Sequence, residues 1–299
     1  MKGLFCLTKR NVKVFFKDKG TFFTSLITPI ILLVLYVTFL ADVYKDSFYA
    51  SLRSAGVTIS DKIVNATVSG QLMASLLSVS CVTVAFCSNT LMVNDKVSGV
   101  EKDLLVTPTK RSVVAVSYFI SSLISTLIVT LGATAACLVY ISFKGWCYTF
   151  SDVLLIVLDV VLLTAFGVSF ASVINSFLKT SGQVQGIGTI VSAGYGFICG
   201  AYMPVASFGK GLQRILGFLP GNYGTAVIKT HAISGATRKM AEAGFPSEVI
   251  ENIKNGLDCS VNFWDHQVSL GASYIVLIAS TLLLAGAYVI ITASKYKKK

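Results

Sequence analysis

Apolar residues along this 299-residue chain gather into six long runs separated by shorter polar breaks. A hydrocarbon core about 30 Å thick needs about 20 apolar residues in a helix. The runs at 22–40, 70–93, 113–142, 153–174, 184–203 and 268–293 are of that order. Helices are expected because each satisfies its backbone N–H and C=O groups internally, as hydrocarbon requires. Residues 1–20 have a different pattern. Leu4, Leu7, Val12, Phe15 and Phe16 are set against Lys9, Arg10, Lys13 and Lys17 at helical spacing, which predicts a helix lying in the membrane interface. Between the fifth and sixth runs, residues 204–267 predict further helices. Leu212, Ile215, Leu216 and Leu219 form an i, i+3, i+4, i+7 stripe between Pro204 and Pro220. A turn-rich break, Gly221-Asn222-Tyr223-Gly224, then leads into an apolar stretch from Thr225 to Ile233 and a polar, solvated cap at 235–262. The expected fold is a single all-α polytopic membrane domain over 1–299. It has six transmembrane helices, an N-terminal amphipathic interfacial helix, and extracellular re-entrant helices between spans five and six.

Composition supports the same class. The chain is 54% hydrophobic and 13% charged, whereas a soluble domain carries about 25% charged residues. The net charge of +11 comes from bases placed beside the apolar runs, where anionic lipid headgroups attract them, and not from one nucleic-acid-binding module. Most Lys and Arg in short segments fall on the side of the termini: Lys2, Lys9, Arg10, Lys13, Lys17 and Lys19, then Lys96, Lys102, Lys110 and Arg111, then Lys179, then Lys295 and Lys297 to Lys299. The positive-inside rule places both termini in the cytoplasm. The first run is too long for a signal h-region and lacks a following cleavage site, so it is expected to remain.

Candidate chemistry is sparse. The segment 94–112 lies between the second and third runs and combines Asp95, Glu101 and Asp103 with a Leu104-Leu105-Val106 patch, Pro108 and a basic exit at Lys110 and Arg111. It is suited to presenting a small helix to a soluble partner. In the fourth run, Asp159 is costly in hydrocarbon, about 2.5–3.5 kcal/mol at mid-membrane. It is expected either to contact a substrate or proton path, or to reach water or a neighbouring hydroxyl from the outer third. The fifth run carries Gly182/Gly186 and Gly196/Gly200 at GxxxG spacing, for close helix packing or a path-lining helix at a dimer interface. The seven cysteines show no metal spacing, and Cys147 with Cys259 is the one pair placed outside the membrane. His231 and His266 are isolated in sequence. Thr180-Ser181-Gly182-Gln183 opens an apolar run, no Gly-x-x-x-x-Gly-Lys-Ser/Thr loop is present, and no catalytic or metal-binding residues are expected.

Together these parts resemble ABC-2-type transporter permeases, similar to multidrug-resistance and polysaccharide-export members. The carriers are Gly99-Val100-Glu101-Lys102-Asp103-Leu104-Leu105-Val106-Thr107-Pro108 followed by Lys110 and Arg111, and the later series Pro204, Leu212 to Leu219, Pro220 and Lys229. The chain departs from the family pattern at Asn94 to Val100, at Gly221-Asn222, and in the length of 235–262. The resemblance implies a permease subunit, not itself an enzyme, that exports an amphipathic or lipid-like substrate: a drug, an antimicrobial peptide, a lipid or a lipid-linked glycan. It also implies two separate ABC ATPase subunits that carry ATP and Mg, with no cofactor bound by this chain, and a second permease, identical or homologous. Asp95, Glu101, Asp103, Leu104, Leu105, Pro108 and Arg111 would then form the ATPase-coupling element. Lys9, Arg10, Lys13 and Phe16 would brace it. Pro204, Leu212, Leu216 and Pro220 would belong to the extracellular re-entrant segment, and Asp159, Gly186 and Gly196 would be pathway candidates. An ion-coupled carrier and a non-transporting immunity or sensory scaffold are the alternatives.

Overall fold

The computed structural model describes residues 2–54, 60–106, 109–264 and 266–295. Helix α1 (Lys2–Lys17) stops at Asp18, whose carboxylate accepts from the Thr21 N–H at 3.2 Å and caps α2 (Lys19–Leu35). Those hydrogen bonds, from the Thr21 hydroxyl first, hold the Asp18 carboxyl below its ordinary pKa. A π-turn at Tyr36–Leu40 carries α2 into α3 (Ala41–Ser54), so the first helical run extends well past the expected boundary. Then come α4 (Asp61–Ser98), α5 (Val100–Val106), α6 (Arg111–Gly145), α7 (Phe150–Phe177) and α8 (Ser181–Ile198). The segment before the last helix folds into α9 (Lys210–Gly217), α10 (Pro220–Ala232), α11 (Ser234–Glu242) and α12 (Ser247–Gly256). It also holds a two-stranded ladder, Asn262 opposite Gln267 and Phe263 opposite His266, the one departure from an all-helical chain among the described residues. The final helix is α13 (Leu270–Lys295).

Among the described residues, five helical runs are long and apolar enough to cross a membrane: Lys19–Asp46, Asp61–Ser98, Arg111–Gly145, Phe150–Phe177 and Leu270–Thr292. The chain is an all-α polytopic membrane protein. The fifth expected span is α8, which stops at Ile198 and does not reach Met203. Its 18 residues reach about 27 Å, but Gln183, Gln185 and repeated glycines dilute its apolar character. It packs against α4. Val184 packs with Val93 and Leu178 at one end, while Tyr195 meets Gly221 near the other. The end carrying α5, α1 and the close of α13 is called the loop end here.

Helix α4 is the centre of the bundle. It is buried along most of its length and lacks an apolar stripe, as expected of a helix enclosed on all sides. It packs against α2, α3, α6, α7, α8, α10 and α11. Its hydroxyls bond back to their own helix: Thr67 to Ile63 O at 2.9 Å, Ser78 to Ala74 O at 2.7 Å, Ser80 to Leu76 O at 2.7 Å and Thr83 to Val79 O at 3.0 Å. Toward the loop end a polar knot joins three helices. Ser88 bonds Ser122 and Thr126 of α6, Asn89 Nδ2 donates to Ser122 Oγ at 2.7 Å, and Ser172 of α7 donates to Asn89 Oδ1 at 3.0 Å.

Close approach of α7 to α4 depends on Gly167, where a Cβ would meet the Cys81 carbonyl oxygen at 2.7 Å and Val82 Cα at 3.2 Å. At Gly132 of α6 a Cβ would meet nothing within 4 Å. The two glycines should therefore respond with opposite signs. Gly167→Val should destabilise by about 2–3 kcal/mol through overpacking. Gly132→Ala should stabilise by up to about 1 kcal/mol through helix propensity. Thermal unfolding of each variant in detergent checks both.

Candidate functional site

At the loop end, Gly99 adopts φ 85° and ends α4, and the N–H groups of Lys102 and Asp103 bond to its carbonyl at 2.9 and 3.4 Å. The expected loop 94–112 is thus divided. Asp95 belongs to the last turn of α4, α5 supplies seven residues, and Arg111 opens α6 as an exposed residue. Leu104 is half-buried against the cluster of Met92, Val114, Ala115, Tyr118 and Tyr288. Glu101 is half-buried, Lys102 and Asp103 are exposed, and Val106 is 87% exposed. The Leu105 side chain and all of Pro108 lie outside the described residues. Helix α1 borders this element, since a Cβ on Gly3 would stand 3.2 Å from the Thr109 methyl.

Asp95 and Arg10, both expected at a partner surface, turn inward. Asp95 is 5% exposed. It accepts a forked pair from Arg10, Nη2 to Oδ1 at 3.2 Å and Nη1 to Oδ2 closer, together with the Tyr118 hydroxyl at 2.6 Å. The physical reason is dehydration: a carboxylate enclosed by α1, α4 and α6 must be paired and hydrogen-bonded to stay charged. The same hydrogen bond raises the Arg10 pKa above its ordinary value. Lys9 and Lys13 face outward, and Phe16 packs with Phe15 and Phe22 at ring distances of 5.2 and 5.5 Å.

The opposite end holds three polar locks on α10 and α11. Asp159, 2% exposed, accepts from the Tyr274 hydroxyl of α13 and lies 2.6 Å from His231 Nδ1 of α10. It meets the neighbouring Tyr274 hydroxyl, one of the environments expected of it, and His231 is not isolated in space. Two residues earlier, Lys229 is 0% exposed and donates to the Gly200 carbonyl at 2.8 Å, with Asp258 Oδ2 at 3.6 Å. Asp258 in turn accepts from the Val205 N–H at 2.6 Å. Asp152, at the start of α7, accepts from Arg238 at 2.7 Å, Ser234 at 2.9 Å and the Thr149 N–H at 2.7 Å. These cross-links make the 225–233 stretch a buried helix, not merely an apolar one. Only α12, which buries no residue, matches the solvated cap expected over 235–262, while α11 buries Gly235, Ala236, Thr237 and Met240.

Other expected positions scatter. Pro204 precedes a short 3-10 turn and Pro220 opens α10. Leu216 is buried and Leu212 exposed, but α9 ends at Gly217, so Leu219 lies outside the stripe. A Cβ on Gly186 would meet nothing within 4 Å, whereas Gly196 is filled by the Tyr202 ring. Gly200 lies beyond α8 with φ 66°, so Gly196/Gly200 is a turn and not a packing pair. Cys147 and Cys259 are free thiols, and burial pushes the Cys259 thiol up to about 12. Among the described residues no cluster of three or more His, Cys, Asp or Glu is arranged to hold a metal.

Between α2, α4 and α8 lies a groove of about 870 Å³, walled by Ile27, Ile31, Leu35, Phe86 and Phe197 and dotted with Thr24, Thr28, Thr90, Gln185, Thr189 and Ser192. Two buried polar atoms on its wall, Tyr36 Oη and Asn175 Nδ2, have no hydrogen-bond partner among the described residues. The glycine-rich fifth run offered one signal, as a path-lining helix, and α8 does line the groove; the faces contributed by α2 and α4 share no motif.

A family model described as ABC-2 type transporter matches residues 2–229. No curated protein matches the chain. The match runs from α1 to Lys229 and takes in α5, the groove and most of α10.

The Arg10–Asp95–Tyr118 site yields a double-mutant prediction. Arg10→Met strands a buried carboxylate and should cost about 3 kcal/mol. The double variant Arg10→Met/Asp95→Asn should recover at least about 1 kcal/mol of that loss. Unfolding in detergent that is additive across the two substitutions contradicts the pairing.

Proposed function

The chain belongs to the ABC-2 type transporter family, and on that premise we propose that it is the permease subunit of an ATP-driven exporter. Family membership makes it a multi-pass membrane component of a transporter. Export, the six-span topology with α8 as the fifth crossing, and cytoplasmic termini are our reading. The observation that carries it is α5. A seven-residue helix with Lys102, Asp103 and Val106 turned outward, bordered by the start of α1, has the form of a docking element for a soluble partner. Two ATPase subunits holding ATP and Mg would bind there, one for each of two permease copies.

The roles within α5 differ from a uniform contact surface. Leu104 seats the helix on its own bundle, leaving Val106, Asp103 and Lys102 to meet the ATPase. Arg10 and Asp95 act behind the surface by fixing α1 to α4 and α6, so that a push on α5 or α1 reaches the core helix. Lys9 and Lys13 face the lipid headgroups or the partner.

The α2–α4–α8 groove supports an amphipathic or lipid-like substrate. Its aliphatic walls accommodate an apolar body, while the hydroxyls and the unpaired Tyr36 and Asn175 groups offer a few hydrogen bonds. Exposed Ile27, Ile30, Ile31, Val34 and Ile190 on α2 and α8 suit a second permease copy closing the groove. Open space at Gly186 allows that copy to approach closely. Cα-to-backbone proximity of this kind is what small residues permit in membranes.

One observation favours an ion-coupled carrier instead: a carboxylate, an imidazole and a phenol, Asp159, His231 and Tyr274, are hydrogen-bonded together inside the bundle. Substrate flux in proteoliposomes separates the two. Flux that requires ATP and persists after proton gradients are collapsed supports the exporter, and the converse supports the carrier.

For the docking role, Val106→Asp/Asp103→Lys should reduce ATPase co-purification at least about tenfold, the cost of burying one unpaired charge at an interface. Insertion and thermal stability should be unchanged. Leu104→Asp should lower stability itself. Retained ATPase binding by the double variant would contradict α5 as the docking element.

A further inference from the structure

Among the described residues, no Asp, Glu, Lys, Arg or His lines the α2–α4–α8 groove. A charged ligand group entering it would exchange water for hydroxyls, amides and hydrocarbon, with no counter-ion on the wall. A neutral polar group exchanges its water hydrogen bonds for those of the wall at far lower cost. The volume of about 870 Å³ is in the range of about 300–1,000 Å³ that single small molecules occupy.

Polar positions gather toward one end of the groove. Asn175 is in the last turn of α7, Thr90 in the closing turns of α4 and Gln185 in the opening turns of α8, all toward the loop end. At the other end Leu40 closes the π-turn and Phe197 is in the last turn of α8. Thr189 and Ser192 lie between. The interval from Gln185 to Phe197 corresponds to about 18 Å of helix.

The hydrogen-bonding groups at the polar end specify a head. Asn175 is 1% exposed, and its Nδ2 has no hydrogen-bond partner among the described residues. A buried N–H left this way costs free energy that an acceptor on a ligand recovers. Thr90 and Thr189 already donate, to the Cys87 carbonyl at 2.7 Å and the Gln185 carbonyl at 2.9 Å, so their hydroxyl oxygens are left to accept. An ammonium only donates, and a phosphodiester or carboxylate only accepts. A hydroxyl does both without charge.

We propose that the groove binds an uncharged amphipath with a hydroxyl-bearing head, the head beside Asn175, Thr90 and Gln185 and the apolar body toward Leu40 and Phe197. The inference rests on the reading of this groove as the substrate's place. It narrows the substrate there to neutral amphipathic alcohols, to the exclusion of anionic lipids and cationic drugs or peptides.

The test uses three photo-probes that share one long alkyl chain with a diazirine at its far end: a monoacylglycerol, a lysophosphatidic acid and a primary fatty amine. Each is cross-linked to the purified full-length chain in phosphatidylcholine nanodiscs, and the labelled peptides are mapped by mass spectrometry. Labelling of Tyr36–Leu40 and Phe197–Tyr202 is read relative to the exposed α13 positions Ile278, Leu282 and Leu283, which report probe in the surrounding bilayer. The monoacylglycerol should give a ratio at least about tenfold above either charged probe. Asn175→Leu should lower that ratio about tenfold and leave thermal stability unchanged, because no protein contact of Nδ2 is lost. Gln185→Leu, at an exposed position, reads the same end if Asn175→Leu does not fold. Equal ratios for the three heads, a charged probe in preference, or a ratio unmoved by these substitutions overturns the proposal. No ATPase is present, so failure of α5 docking or of ATP-driven flux leaves this result standing, and loss of head selectivity leaves the docking role untouched.

Discussion

Enclosure of α4 is the constraint on which the other helices depend. A helix surrounded by protein inside hydrocarbon has no water to satisfy its side chains, so every polar group on it must find an internal acceptor or donor. Thr67, Ser78, Ser80 and Thr83 of α4 meet this by bonding to carbonyls of their own helix, which costs no neighbour a partner. Ser88 and Asn89 do require neighbours, and these are Ser122 and Thr126 on α6 and Ser172 on α7. The polar knot thereby fixes the rotation of three helices about their axes. Gly167 sets the approach of α7 to α4 at the Cys81 carbonyl, and Gly70 that of α10 to α4 under the Ala232 carbonyl.

The same helix connects the two ends of the molecule. Its final turn carries Asp95, held by Arg10 and Tyr118, and its first half contacts α10 and α11. A displacement of α1 or α5 therefore acts on one rigid element that also touches the locked helices at the opposite end. Those locks differ in kind. Lys229 and Asp258 hold the turn after α8, whereas His231 and Asp159 hold α10 to α7, with Tyr274 adding α13.

Much of the architecture was legible from periodicity and charge. The long apolar runs became helices, residues 2–17 became an amphipathic helix, and α5 lies where the Glu101-to-Val106 patch indicated. The lack of any apolar stripe on α4 was itself a sign of full enclosure. Periodicity defines faces but not partners, and here the reading failed. Asp95 groups in sequence with the 94–112 segment, yet it sits in the last turn of α4, on the face that meets α6. His231 and Asp159 are 72 positions apart and share no motif. Helix α10 reads as apolar over 225–233, although Lys229 and His231 on it are buried and paired inside the bundle. The Gly196/Gly200 spacing misled because a helix-packing motif and a left-handed turn use glycine for different reasons.

The central claim is that a separate ATPase drives this permease through α5. Site-directed photo-cross-linking in cells tests it most directly, with the reactive group at Val106 and, as a control, at Phe150 on the opposite end, which is 85% exposed. The account predicts a cross-link from position 106 to a protein carrying a phosphate-binding loop, and none to that protein from position 150. No such cross-link from 106, or equal cross-linking from both positions, would contradict it.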